Sequence, residues 1–228
     1  MHKNKLTIIS YGSEPFTDRR EAGWLLAREL IKFRGKNAVV LGIPRGGVVI
    51  AAQIADNLDA ELDIVFARKL GAPGNPELAV GAVGETGEIF LNKNLLRQWG
   101  GPVDIKSEKE RQMASIRQRS WKFRQFRPKI PLFGRVVILT DDGIATGATV
   151  QAALWSVRQE GPEKIIVALP VGPPSSLRQL ADDADEVICL RAPGDFQALS
   201  QFYAHFGQVD DDEVLEILKK SDGIRNHV

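Results

Sequence analysis

Cysteine is almost missing: the 228-residue chain carries one, Cys189. One thiol closes no internal disulfide and builds no cysteine cluster for zinc. It sits inside the apolar run Val187-Ile188-Cys189-Leu190 with no basic neighbour to favour a thiolate, so it reads as an inert core thiol rather than a nucleophile. Histidine is scarce as well. His2, His205 and His227 are scattered and form no ligand pair, and no Ser-His-Asp or Cys-His arrangement is apparent. An excess of one charge is also lacking. Thirty Lys and Arg balance twenty-nine Asp and Glu, for a formal net charge of +1, so no global field advertises nucleic acid or membrane. The longest charge-free stretch, residues 143 to 157, contains Thr, Gln and Ser and falls short of the roughly 18 apolar residues of a membrane span. The basic start Met1-His2-Lys3-Asn4-Lys5 leads into an apolar run from Leu6 to Ile9 only, which is too short for a secretory signal. A cytoplasmic, reducing setting is therefore expected. Repeats and low-complexity tracts are absent too.

What is present is an alternation of short apolar runs and amphipathic stretches. Asp18 and Glu21 are spaced as a capping box, with Phe16 placed to staple the entry. Ala22, Leu25, Leu26, Leu30 and Phe33 follow at helical spacing, so the pattern predicts a helix over 18 to 33, ended by Gly35. Strands are predicted at 38 to 41, 62 to 67, 135 to 140, 165 to 169 and 186 to 190. Helices are predicted at 48 to 57, 147 to 159, 174 to 180 and 211 to 220. Residues 70 to 87 are rich in Gly and Pro without helical period, and Ile89-Phe90-Leu91 reads as a strand returning from that loop. Residues 104 to 127 form a charged helix anchored by Met113, Ile116 and Phe123. From 104 to 129 there are nine Lys and Arg against three Asp and Glu, read as a solvated face rather than a nucleic-acid stripe. Trp121, Phe123 and Phe126 suit core or interface. The alternation implies an α/β fold: a mainly parallel twisted sheet with helices on both faces. In such sheets ligands bind beyond the carboxyl ends of the strands, so the loops beginning at Gly42, Arg68, Asp141 and Val171 are the ones to inspect.

The sharpest segment runs from Val136 to Thr149. The apolar strand Val136-Val137-Ile138-Leu139 and Thr140 end at Asp141-Asp142, and the loop Gly143-Ile144-Ala145-Thr146-Gly147-Ala148-Thr149 opens a helix. Small residues let backbone N–H groups converge at a helix N-terminus, where the dipole favours an anion. Thr146 and Thr149 add hydroxyl donors, and two adjacent carboxylates can accept from sugar hydroxyls. The loop thus describes a sugar phosphate. The plainer reading makes Asp141 and Asp142 turn caps. No Gly-Lys-Ser/Thr is present, so it is not a Walker A loop, and the glycine spacing is wrong for a dinucleotide fingerprint.

Residues 136 to 149 resemble the signature of type I phosphoribosyltransferases, which bind 5-phosphoribosyl-1-pyrophosphate (PRPP). The resemblance implies that Asp141 and Asp142 take the ribose hydroxyls and act in catalysis, while Ala145, Thr146, Gly147, Ala148 and Thr149 take the 5′-phosphate. Gly42-Ile43-Pro44-Arg45-Gly46-Gly47 is similar to the family's pyrophosphate turn, with Pro in place of Ser. It implies pyrophosphate binding by Pro44, Arg45, Gly46 and Gly47 and a cis Pro44–Arg45 peptide. Arg68 and Lys69 stand at the next strand end, where the family places cations near the leaving group. A closing lid is expected over 71 to 88, including Gly71, Pro73, Gly74, Asn75, Pro76 and Glu77.

The implied chemistry is Mg²⁺-dependent transfer of the phosphoribosyl group to a nitrogen acceptor such as a nucleobase, releasing pyrophosphate. No side-chain metal ligand is assigned. Ala145 stands where 6-oxopurine enzymes of the family commonly carry a carboxylate, so the Ala-Thr-Gly form resembles adenine- and uracil-type members more. The chain is read as one phosphoribosyltransferase domain, with a core over 17 to 191. An acceptor hood is expected over 192 to 209, with or without 1 to 16. Phe196, Phe202, Tyr203 and Phe206 there suit either base stacking or packing. The expected partners are PRPP and a small acceptor, not membrane or nucleic acid; a homodimer stays open. Two other classes remain open: a PRPP-binding regulator without turnover, and a phosphoribohydrolase-like enzyme with water as acceptor.

Overall fold

A computed structural model describes residues 5–72, 75–92, 96–97 and 105–225. Six strands form one sheet in the order β1-β9-β8-β7-β2-β3, and every pair is parallel. These are β1 (Leu6–Ser10), β2 (Ala38–Gly42), β3 (Glu61–Ile64), β7 (Val136–Thr140), β8 (Lys164–Val171) and β9 (Glu186–Arg191). A three-stranded antiparallel sheet, β4 (Ala67–Ala72), β5 (Asn75–Gly84) and β6 (Ile89–Leu91), stands beside it. The helices are α1 (Arg19–Glu29), α2 (Gly46–Leu58), α3 (Ile105–Arg124), α4 (Ala148–Arg158), α5 (Pro174–Asp183) and α6 (Asp211–Arg225).

The central strands read as continuous apolar runs because both faces are covered. Their residues alternate between two cores. Val40, Ile138, Ile166 and Ile188 pack with α1, α2 and α6, through Leu26, Ile54 and Val214 among others. Val39, Leu41, Val137, Leu139, Val167 and Cys189 face α4 and α5, against Leu154, Leu177 and Leu180. Burial pushes the Cys189 thiol up to about 12, so it remains a neutral core group. The chain leaves β2 through α2 toward β3 on one side, and leaves its neighbour β7 through α4 toward β8 on the other. The carboxyl ends of β2 and β7 therefore form a topological switch point.

The start of α1 follows its sequence. The Asp18 carboxylate accepts from the Arg20 and Glu21 amides at 2.8 and 2.9 Å. Glu21 reaches back to the Thr17 amide rather than to Asp18 itself. Three expectations are corrected. First, the run over 62 to 67 is not one strand. β3 stops at Ile64, where the Val65 amide turns back to the Gly42 carbonyl at 3.2 Å, and Ala67 begins β4. Second, residues 70 to 87 are not an irregular loop. Backbone pairing continues from Ala67↔Gly84 to Ala72↔Asn75, with bulges around Gly71. The base of this hairpin is anchored, with Leu70, Val80, Ala82 and Val83 buried; Pro73 and Gly74 lie outside the described residues. Third, Leu6–Ser10, grouped with the segment before the core, is a strand of the main sheet paired with β9. Its apolar residues alternate too briefly to announce it.

The acid inside strand β3 has a purpose. Asp63 is buried at 1 % exposure and accepts from Arg124 Nη1 at 2.7 Å and from the amides of Ile64 and Ile130 at 2.8 and 3.0 Å. Arg124 also grips Glu85, in the β5–β6 turn, through Nε and Nη2 at 2.9 and 2.8 Å, and donates to the Ile64 carbonyl at 2.9 Å. One guanidinium thus rivets the end of α3 to the loop after β3 and to the antiparallel sheet. Replacing Arg124 by Met should leave two carboxylates buried without their cation. A loss of about 3–5 kcal/mol is expected in urea unfolding; a loss below about 1 kcal/mol would show the network to be incidental.

Candidate functional site

The loops after β2 and β7 meet at the switch point. Their approach depends on glycine. A methyl group on Gly46 would lie 2.0 Å from Asp142 Oδ2, and one on Gly47 would lie 2.8 Å from Asp141 Cα. The Ile43 amide bonds to the Thr140 carbonyl at 3.0 Å, which ties the two turns together as they leave the sheet. The Pro44–Arg45 peptide is cis, as the resemblance implied. Gly147, at φ 75°, turns the chain in a left-handed conformation directly before α4.

Asp141 and Asp142 stand in different surroundings. The Asp141 carboxylate accepts from the Asp142 amide at 2.9 Å. Burial between the loops, then the neighbouring Asp142 charge, raises its pKa well above the ordinary carboxylate value, against the pull of that amide and of Arg19. Asp142 is paired: Arg19 Nε donates to Oδ2 at 2.8 Å, with both side chains largely buried. Arg19 also donates from Nη1 to the Gly207 carbonyl at 2.8 Å, and its guanidinium carbon lies 3.9 Å from the Phe206 ring centroid. Tyr203 donates its hydroxyl to the Asp142 carbonyl at 2.6 Å, and its pKa is raised by burial and by Asp142. The phosphate-type loop is pinned from below by Ser176, whose hydroxyl donates to the Ala145 carbonyl at 2.7 Å. The Ile144 amide bonds to the Val171 carbonyl at 3.0 Å. Thr146 and Ala148 are exposed, and the Ala148 amide leans toward Thr146 Oγ1 at 3.4 Å.

The other residues singled out in the sequence divide. Arg45 is half-exposed and leans 3.9 Å from Asp211 Oδ1 at the start of α6, a loose pair that holds it weakly. Arg68 and Lys69 are consecutive in β4, so they point to opposite faces of the hairpin. Arg68 lines a cleft with Pro44, Thr149 and Arg119. Thr149, exposed on the first turn of α4, therefore borders that cleft as well as the loop. The hood aromatics favour packing. Phe202 is fully buried and lies 5.1 Å from Phe196, while Tyr203 lies 5.6 Å from Phe16 and 5.0 Å from Phe206. The segment is tied to the chain before α1 by bonds from the Phe16 amide to the Phe202 carbonyl and from the Ala204 amide to the Phe16 carbonyl, 2.8 and 2.7 Å. Arg19, Ser176 and Arg119 had no motif to announce them; Arg19 lay in plain sight beside the capping box.

Among the described residues no group of three or more His, Cys, Asp or Glu could hold a metal. The acid pair at the loop mouth fits a hard cation that brings most of its oxygens on a phosphorylated ligand, rather than one caged by protein. No helix among the described residues is long and apolar enough to cross a membrane.

The site is thus a parallel α/β sheet with an acid pair and a small-residue loop at one strand end, set against a glycine turn at the next. The chain belongs to the phosphoribosyl transferase domain family, whose model matches residues 20–205. It is 44% identical over 209 residues to the Mycobacterium tuberculosis H37Rv protein Rv0571c, whose assigned name is that of a phosphoribosyl transferase. A counterpart in strain CDC 1551 / Oshkosh matches with the same identity and coverage. These alignments cover 90% of this chain and 47% of each relative, so the chain spans about half the length of the curated relatives it matches. The crystal structure of TT1426 from Thermus thermophilus is 47% identical and superposes with a TM-score of 0.85, covering 90% of this chain and 98% of that one.

Two outcomes follow from the geometry. Gly47→Ala must push backbone apart and should lower stability by about 1–3 kcal/mol in denaturant unfolding, whereas Gly46→Ala meets a carboxylate tip and should cost less while displacing Asp142 from Arg19. Equal stability for both variants would contradict the close approach. Because the folded state holds the Asp141 proton more tightly than the unfolded chain, stability of the ligand-free protein should fall as pH rises from the ordinary carboxylate range to the raised value. Asp141→Asn should remove that slope, as read by thermal melts across pH; an unchanged slope would exclude the carboxyl as its source.

Proposed function

We propose that this chain transfers the 5-phosphoribosyl group from PRPP to a nitrogen acceptor such as a nucleobase, with pyrophosphate as the leaving group. The observation that carries the reading is the convergence of the acid pair and its small-residue loop on the glycine turn at adjacent strand ends. In this reading Asp141 and Asp142 accept hydrogen bonds from the ribose 2′- and 3′-hydroxyls. The backbone from Ala145 to Thr149, with the Thr146 hydroxyl, cradles the 5′-phosphate at the start of α4. Pro44, Arg45, Gly46 and Gly47 hold the pyrophosphate, and Arg68 supplies charge beside it. The C1′–oxygen bond breaks with its electron pair leaving on pyrophosphate, the nitrogen–C1′ bond forms, and the acceptor nitrogen loses its proton. The carboxylates near the ribose favour the positive charge that develops on the ring, so the rate gain is mainly electrostatic. Asp141 and Asp142 are the residues that would stand beside a Mg²⁺ ion, which would neutralise charge on the departing pyrophosphate.

The hairpin beyond Leu70 and Val80 is the segment suited to cover the reacting centre and exclude water. The segment over 192 to 209 packs on the acid loop, through Tyr203 on Asp142 and Leu199 beside Gly143, and is the proposed acceptor hood. Since Phe202 and Tyr203 are spent on packing, the acceptor would be gripped there by backbone groups and by whatever Phe206 and Phe196 leave open. The setting is proposed to be cytoplasmic, as the supply of PRPP requires.

Calorimetry tests the ribose assignment. Hydrogen bonds to charged groups contribute roughly 1.5–3 kcal/mol each, so replacing Asp141 and Asp142 together by Asn should weaken PRPP binding by about tenfold to several hundredfold or more. Asp141→Asn alone should weaken PRPP while holding or raising the melting temperature of the ligand-free protein at neutral pH. A double variant that stays folded and binds PRPP like the native protein would reduce both acids to turn caps and end this reading.

A further inference from the structure

Helix α3 carries its charge unevenly. Arg111 faces solvent and is paired with Glu108, and Arg117 is exposed. Arg119 is exposed too, but it lies one turn beyond the buried Ile116 and borders the mouth of the cleft that Arg68 also lines. Its floor is apolar, with Phe66 and Ile116, and Pro44 and Thr149 stand at its sides. Neither arginine has a carboxylate partner among the described residues. Burial, and then the charge of Arg119, lower the Arg68 pKa from the usual arginine value. Two cations are thus held in one cleft with no anion between them, and mutual repulsion makes this unfavourable until an anion arrives. The helix cannot swing Arg119 away at little cost, because Arg124, five residues on, is locked to Asp63, Glu85 and the Ile64 carbonyl.

We propose that Arg119 is a second leaving-group residue: with Arg68 it forms a two-arginine clamp for the pyrophosphate end of the donor. The inference rests on the phosphoribosyl-transfer reading above, and adds a contribution from a helix whose charge otherwise reads as a solvated face. The position selects the ligand. Pro44 belongs to the turn assigned to pyrophosphate, and Thr149 to the first turn of α4, so the cleft lies between two phosphate-reading segments. A planar fork from each side suits the several oxygens of a diphosphate better than a single carboxylate. The same clamp joins hairpin to helix: pyrophosphate held between Arg68 on β4 and Arg119 on α3 would tie the base of the covering hairpin to a fixed support while the leaving group is present.

The test is calorimetry of the full chain with pyrophosphate, PRPP and ribose 5-phosphate, each with Mg²⁺, using Arg119→Gln, Arg119→Lys and the solvent-facing Arg117→Gln. Arg119→Gln should weaken pyrophosphate and PRPP by about tenfold, one charged hydrogen bond's contribution, and leave ribose 5-phosphate nearly unchanged. Arg119→Lys, which keeps the charge, should recover most of that loss, and Arg117→Gln should bind all three like the native protein. Melting temperatures check that each variant is folded; should the Gln variant not fold, the Lys variant must still lose some pyrophosphate affinity selectively. The inference is overturned if folded Arg119→Gln binds pyrophosphate like the native protein, or loses all three ligands equally. Native protein that binds ribose 5-phosphate and pyrophosphate while Arg119→Gln is indifferent removes only this clamp. Native protein that binds none of the three removes the phosphoribosyl reading and the clamp together.

Discussion

Two backbones pass at the switch point with nothing but hydrogen between them. Gly46 and Gly47 let the start of α2 rest on Asp141 and Asp142; a side chain at Gly47 would drive the loops apart, and one at Gly46 would displace the Asp142 carboxylate. The rest of the site follows from that contact. It sinks Asp141 enough to raise its pKa, and it brings Asp142 within reach of Arg19. Arg19 in turn holds the C-terminal segment through Gly207 and Phe206. The strands on either side are rigid because their apolar runs are covered on both faces, so the loops they end in are held in place before any ligand arrives. The acids, their cation and the segment beyond them form one mechanical unit rather than a set of separate residues.

A second anchor joins the two sheets. Arg124 binds buried Asp63 in the parallel sheet and Glu85 in the antiparallel one. Such a pair is a weak source of net stability but a strong constraint on geometry once formed. It sets the height of α3 against β4, and with it the spacing of the cleft shared by Arg68 and Arg119. The two anchors divide the labour. Arg19 orders the acid loop, and Arg124 orders the neighbourhood of Arg68 and Arg119.

Much of this was legible in the sequence, for a physical reason. Local rules act on contiguous residues: the apolar run into Asp141-Asp142, the small-residue loop, the glycine turn with its cis peptide and the helix start at Asp18 each depend on a few neighbours. The strand at Leu6–Ser10 escaped because five residues of weak alternation say little without their partner β9. The hairpin over 67 to 84 escaped because its glycines and prolines mimic a loop, and only pairing across the turn reveals strands. Arg19, Arg119 and Ser176 act across 123, 51 and 31 positions respectively, counted to Asp142, Arg68 and Ala145. No spacing rule reaches that far. The aromatic residues of the hood were ambiguous in sequence, and packing of Phe202 and Tyr203 resolves two of them as structural.

The central claim is transfer, and it is tested by measuring pyrophosphate released from PRPP and Mg²⁺ with each of a panel of nucleobases and with none. The account predicts release that requires a base, with the phosphoribosylated base formed in equal amount. Release at the same rate without any base would make water the acceptor. Tight PRPP binding with no release under any condition would make the chain a PRPP sensor, and either result would contradict the account.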